Sequence, residues 1–202
     1  MNTLASTKPR TRDPEGKRAR ILDAALTLFA EGGYEATSTS SIAKLAGVSE
    51  GTVFHHFGSK QGLLAAVATR YGQLVVQNMF ESVATQGPID VRAMMERLFD
   101  FAERHGRIHQ VIAMANGPAD WGAGVRAFNR VVIAALSEAF RGWNEQGTIR
   151  CGRPDIAARL IFSMVDGALY ACIEEERGAR RAEYIDEVVL CISGALGAEG
   201  QR

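Results

Sequence analysis

An all-α fold follows from three features of the sequence. Apolar residues recur at three- and four-residue spacing through nearly all of it, the period that gathers them on one face of a helix. The stretches so patterned are separated by glycine, proline, serine and aspartate, at places where helices stop and start. Strand-like alternation is found nowhere, and no repeat period is evident. The 202 residues, 47% of them hydrophobic, suffice for a proper core in one or two small domains.

Asp13-Pro14-Glu15 starts the first helix, with a capping carboxylate, proline at the first position and a second acid at the positive end. Ile21, Leu22, Ala25, Leu28 and Phe29 make its buried stripe, and Gly32-Gly33 ends it with Tyr34 closing the edge. Thr37 or Ser38 caps a second, short helix with Ile42, Ala43, Leu45 and Ala46 on its apolar face. Gly47 stops that helix, because the left-handed position after a helix costs glycine no Cβ clash. Ser49 caps a third, whose inner face is Val53 and Phe57. Left pointing outward are Glu50, Gly51, Thr52, His55 and His56. Two helices joined at a glycine turn, the second with hydrogen-bonding groups outside, have the layout of a helix-turn-helix DNA reader.

Ser59 caps a fourth helix, where Leu63, Leu64, Val67, Tyr71, Leu74 and Val75 run at helical spacing toward Thr85. With no glycine break large enough for a linker, it is expected to be a rigid rod between the first three helices and the rest. Gln86-Gly87-Pro88 precedes a fifth stripe, Val91, Met94, Met95, Leu98, Phe99 and Ala102. A short segment from Arg107 to Ala115, with Ile108, Val111 and Ile112, follows, then a strong helix from Trp121 to Trp143. The last two read from Asp155 to Arg177 and from Ala182 to about Leu196. Their stripes are unusually small: Ala157, Ile161, Met164, Ala168 and Cys172 in one, and Val188, Val189, Ile192 and Ala195 in the other. The first is apolar on more than one face, which suits neighbours on both sides. Pairing of these two helices with a second copy would bury them as a four-helix bundle and make a homodimer. The expected domains are a flexible basic tail over 1–12, a three-helix reading bundle over 13–59, and a helical dimerisation domain over 60–202.

Net charge is zero, but residues 1–60 hold eight Lys/Arg against six Asp/Glu, including all four lysines (Lys8, Lys17, Lys44 and Lys60). So slight an excess would give modest affinity for nucleic acid unless a dimer focused both basic ends on phosphates. The tail MNTLASTKPRTR is disordered on this reading when free, and able to lie along DNA.

The stretch GYEATSTSSIAKLAGVSEGTVFHHFGSK closely resembles the DNA-binding signature of the tetracycline-repressor (TetR) family of transcriptional regulators. Gly33-Tyr34, Thr37, Ile42-Ala43, Ala46-Gly47-Val48-Ser49, Gly51-Thr52, His55-His56-Phe57 and Ser59-Lys60-Gln61 carry it, in unbroken register. The resemblance implies DNA contacts from Thr39, Ser40, Glu50, Gly51, Thr52, His55, His56 and Lys60. Thr52 suits a phosphate or a thymine methyl, Glu50 a cytosine amino group, and Lys60 at a helix start a phosphate. Phe54 departs from the family, which usually has tyrosine there, so a hydroxyl-to-phosphate bond is missing. The resemblance also implies an effector pocket downstream. Met95, Phe99, His109, Met114, Trp121, Phe128, Phe162 and Tyr170 are its candidates, since methionine-rich aromatic walls adapt to varied apolar ligands.

His105 and His109, four apart, are expected on one helix face, but no further ligand at suggestive spacing accompanies them, so no metal is expected. Cys151, Cys172 and Cys191 lack a C-x-x-C pair, which argues for a reducing compartment. Cys172 and Cys191 are expected buried and Cys151 exposed. No apolar run of membrane-spanning length and no signal-like segment are evident, and a cytoplasmic protein is expected. Glu174-Glu175-Glu176 and the arginines after them read as a solvated helix end. With no nucleophile-plus-base pairing, phosphate loop or metal set, an enzyme is disfavoured and no cofactor is expected. A structural or cell-division factor using the same reader is the other alternative. The reading is a dimeric repressor on a near-palindromic operator with half-sites about 34–36 Å apart. A small lipophilic effector would release it, which takes about 5.5 kcal/mol of preference for the DNA-incompetent state.

Overall fold

The computed structural model describes residues 13–81, 89–113 and 122–197. Among these residues lie nine α-helices and no strand: α1 (Pro14–Gly32), α2 (Thr39–Ala46), α3 (Glu50–Phe57), α4 (Lys60–Phe80), α5 (Val91–Arg104), α6 (Gly106–Ala113), α7 (Gly122–Glu145), α8 (Pro154–Tyr170) and α9 (Arg181–Ala195). A π-helical turn, Ala171–Glu175, continues α8. The sequence extends α4 to Thr85, α6 to Ala115 and starts α7 at Trp121; those extra residues lie outside the described ones.

Side-chain caps start the first four helices, each satisfying a backbone N–H that has no partner inside its helix. The Asp13 carboxylate accepts from the Gly16 N–H at 2.8 Å, and Ser38 Oγ from Ser41 at 3.0 Å. Ser49 Oγ accepts from Thr52 at 3.3 Å, and Ser59 Oγ from Gly62 at 3.0 Å. Ser38, then, caps α2. Thr37 is buried, and its hydroxyl lies within donating distance of the carbonyls of Gly33 (2.7 Å) and Leu28 (3.1 Å), pinning the α1–α2 connection. Gly47 takes φ 66°, ψ 39° and returns its N–H to the α2 carbonyls. Gly62 is required by proximity: a Cβ there would sit 2.1 Å from the Phe57 carbonyl oxygen.

Ile21, Ala25 and Phe29 of α1 bury against Ile42 and Val53, with Tyr34 tilted on Phe29 at 5.4 Å between centroids. This core runs on without a break into Leu63, Leu64 and Val67 of α4. Helix α4 packs most extensively on α7 and also touches α1 and α5; α7 packs in turn on α8, and α5 on α9. Arg92–Asp186 (2.6 Å) and Arg181 with Asp100 and Glu103 tie the outer edge of α5 to α9. Solvent screening keeps such half-exposed pairs weak, so they set register more than stability. Helix α6 reaches the reading bundle, where the Arg107 guanidinium donates to the Glu31 carbonyl at the end of α1.

Four expectations need correction. Ile161, Cys172, Val188 and Ile192 are buried in the subunit's own core, so they cannot face a second copy. Ala157, Met164, Ala168 and Val189 are partly exposed and Ala195 is exposed, while Ile156, Leu160 (64% exposed) and Leu190 (67%) stand out as apolar surface. On a helix apolar on more than one face, a stripe of small residues does not tell inside from outside. Cys151 is buried and Cys191 exposed, the reverse of expectation, because the α7–α8 connection folds inward: Cys151 N–H donates to Asn144 Oδ1 (2.9 Å), and Arg150 N–H to the Leu196 carbonyl (2.8 Å). His105 and His109 do not share a helix: His105 ends α5, exposed and stacked on Phe101 at 4.1 Å, while His109 is buried in α6. Finally, Pro154–Ile173 is 20 residues at mean hydropathy 1.6, long and apolar enough by composition to cross a membrane. A third of that window is buried inside the subunit.

Candidate nucleic-acid interface and ligand cavity

Helix α3 is held by its Ser49 cap and by Val53, 1% exposed, so its other faces turn to solvent. Glu50, Gly51 and His55 are exposed, with Thr52 and His56 half-buried beside them. Ser40 is exposed on α2. The structure pairs two of the expected contact residues with each other: Thr39 Oγ1 donates to the Glu50 carboxylate at 2.5 Å, bridging α2 and α3. That bond holds Glu50 in one direction and occupies one of its oxygens. Thr52 shares a 2.8 Å hydroxyl–hydroxyl bond with Ser49. Lys60 is engaged as well, its Nζ 4.3 Å from the Tyr34 ring centroid and donating to the Glu35 carbonyl at 3.3 Å. Phe54, 45% exposed, presents a bare ring where a hydroxyl was missing from the pattern.

A cleft of about 350 Å³ separates the start of α1 from the outer face of α3, lined by Asp13, Pro14, Lys17, Ser49, Gly51, Thr52, His55 and His56. Lys17 thus joins the polar set although it lies more than thirty positions earlier in the chain. Its one signal in the sequence was the concentration of lysines in the first 60 residues. The cleft places an ammonium and two imidazoles beside a serine and a threonine, groups that can bind phosphate oxygens and base edges.

The other site is a cavity of about 50 Å³ where α4, α5, α6, α7 and α8 converge. Val75 and Met79 come from α4, Met95 and Leu98 from α5, His109 from α6, Phe128, Val132 and Leu136 from α7, and Ile161, Phe162, Val165, Asp166 and Leu169 from α8. Of the expected lining, Met95, His109, Phe128 and Phe162 are present. Phe99 is fully buried and Tyr170 half-buried, but neither lines the cavity. Met114 and Trp121 fall outside the described residues. Ile161, expected between subunits, lines the cavity instead.

The space holds about one water molecule. His109 Nδ1 lies 3.2 Å from the Tyr71 hydroxyl, and the Tyr71 ring stacks on Phe128 at 5.8 Å. Burial pushes the His109 pKa down to about 4 and drives the Tyr71 phenol above its usual range, so both are neutral. Asp166 was missed in the sequence, where one acid in SMVDGA reads as a surface residue. It lines the cavity, and burial pushes its pKa up to about 6.

Capped helices flanking a glycine turn, with an outward polar face on the second, have the layout of a helix-turn-helix DNA reader, here joined to a second helical layer around a cavity. Residues 21–67 match the profile of bacterial regulatory proteins of the tetR family. The HTH-type transcriptional regulator UidR of Escherichia coli K12 is 29% identical over 189 residues, covering 90% of this chain and 93% of that protein. A TetR-family transcriptional regulator from Pectobacterium atrosepticum superposes with a TM-score of 0.71 at 25% identity, covering 96% of this chain and all of that one. The structure of SmeT in complex with triclosan superposes at TM-score 0.58 and 27% identity, over 87% of this chain and 90% of that one. Residues 21–67 carry the tetR-family DNA-binding profile, and the chain as a whole is similar to TetR-family transcriptional regulators.

Proposed function

We propose that the protein is a homodimeric repressor that binds a near-palindromic operator through α3 and leaves it when a small lipophilic effector enters the cavity. One observation carries the reading: α4 begins at Lys60, directly after the reading bundle, and ends at the cavity with Val75 and Met79. Residues 13–59 act on this reading as the DNA-binding domain, and α4 onward as the effector and dimerisation domain. Thr39, Ser40, Glu50, Gly51, Thr52, His55, His56 and Lys60, joined by Lys17, make the DNA-facing surface. Glu50 is aimed by Thr39, and Lys60 approaches phosphate from its seat on Tyr34.

The exposed Ile156, Leu160 and Leu190, with Met164, Ala168 and Ala195 around them, supply the face for a second copy. Burying that face would also account for a helix as apolar as Pro154–Ile173 with a third of its window covered in the single subunit. Arg107 of α6 offers a second route from the cavity wall to α1. The complex of SmeT, a 27%-identical neighbour, with triclosan supports a small-molecule role for this chain.

The test is recovery of genomic fragments bound by the purified protein, followed by footprinting. A few near-palindromic sites with half-sites one helical turn apart, about 34–36 Å, are expected. Binding spread evenly over the genome, or protection of a single half-site, would count against a local dimeric repressor.

A further inference from the structure

We infer that the cavity selects an effector with a compact apolar body and one positive charge, an amine or quaternary ammonium, seated against the Asp166 carboxylate. The inference rests on the effector reading of the cavity and adds its chemistry. Among the described residues, the wall is apolar except at His109 and Asp166 and contains no lysine or arginine. Among the described residues, no hydrogen bond or ion pair engages the Asp166 side chain. His109 cannot act as its counter-charge, since the ring is buried and neutral and its Nδ1 faces the Tyr71 hydroxyl.

Asp166 is half-buried, and an unpartnered carboxylate in such surroundings is costly, which raises the pH at which it gives up its proton. Its raised pKa, about 6, reports that tension. A cation entering the cavity reverses the balance, because a charge pair forms where each charge alone is penalised. The rings of Phe128 and Phe162, 6.2 Å apart, add π faces to which a cation is attracted. A ligand carboxylate would meet Asp166 as a like charge, and a neutral ligand would gain only from the apolar wall. The expected order of affinity is therefore cation, then neutral, then anion.

The test uses three probes on one skeleton: 4-phenylbutylamine, 4-phenylbutanol and 4-phenylbutanoate. Binding to the intact protein is measured by calorimetry at neutral pH, and release from operator DNA by fluorescence anisotropy. The amine should bind about tenfold tighter than the alcohol, with the carboxylate weakest, and Asp166→Asn should bring the amine down to the alcohol's affinity. The ranking of probes on the unaltered protein stands as a test even if the variant folds poorly. Equal binding of amine and alcohol, or a carboxylate that binds best, overturns the charge selection while leaving the cavity as an effector site. A preference for the amine that survives in Asp166→Asn also overturns it. If none of the three binds or releases DNA, both this inference and the effector reading fall.

Discussion

The reading bundle and the cavity half are built on opposite terms. In the bundle, each helix start is set by a residue within three positions of the N–H it caps, as with Asp13 for Gly16 and Ser49 for Thr52. Its polar surface consists of groups left over once short apolar faces are buried. In the cavity half the partners are far apart in sequence: Tyr71 meets His109, Arg92 meets Asp186, and five helices must arrive together before the cavity exists. Local rules specify the surface proposed to meet DNA, whose shape is constant. Long-range packing makes the cavity, which on the proposed reading a ligand must be able to change.

The contrast is most sharply tested where the two halves depend on each other. Leu160→Arg puts a charge on the exposed apolar face of α8 and should yield monomers by sedimentation, with helix content kept. Operator affinity should fall by about a hundredfold or more, since a linked second half-site is lost. A dimer of unchanged size would remove that face from the interface. Next in size, Thr52→Ala with His55→Ala should weaken operator binding by about tenfold or more, each lost base contact being worth about 1–3 kcal/mol. The dimer and the circular dichroism spectrum should not change. Retained affinity would mean that α3 is not the reading helix.

A third test belongs to the cavity alone and turns on pH. The folded-state pKa of His109 is about 4 against an ordinary 6.5, so its contribution is present above pH 6.5 and is lost as pH falls through 4. For Asp166 the folded value is about 6 against an ordinary 3.8, so its contribution is full below pH 3.8 and lost as pH rises through 6. Between pH 4 and 6 the two slopes oppose each other. Asp166→Asn should therefore lose stability on acidification from pH 6.5 to 4 more steeply than the parent, read from urea midpoints. Parallel curves would show that Asp166 does not titrate in the cavity. The smallest effect is expected from Thr39→Val, which frees Glu50 from its α2 partner. Stability should fall by about 1 kcal/mol or less, while selection among operators should relax at the base pair facing Glu50. Unchanged selection would leave the Thr39–Glu50 bond a structural brace.

Legibility in the sequence followed the same division. The all-α class, the helix order and the caps at Asp13, Ser49 and Ser59 could be read because each depends on a few adjacent residues. Even there, Thr37 and Ser38 looked equivalent, since nothing local shows that the Thr37 hydroxyl is buried against Gly33 and Leu28. Downstream, a helix apolar on more than one face does not show the eye which is inner, so Ile161 and Cys172 could not be told from Leu160. Asp166 was hidden by composition, because a single acid in an apolar run usually marks solvent. Lys17 and His55 are brought together by the folding of α1 across α3, and no spacing rule relates them.

The length of α4 converts a small event into a large one. Its 21 residues make a beam about 31 Å long. From Val75 at the cavity to Lys60 beside the reading bundle is about 22 Å. On the proposed dimeric reading, a pivot of about 5° at the cavity end would sweep the far end by about 2 Å over that length, and opposite sweeps in two subunits would alter the half-site spacing by about 4 Å. Hydrogen bonds weaken over a few tenths of an ångström, so about 4 Å is ample to break register with a DNA helix that does not stretch to follow. On the proposed reading the cavity can thus start almost closed, with leverage, and not the volume an effector displaces, setting how far the grip on DNA is spread.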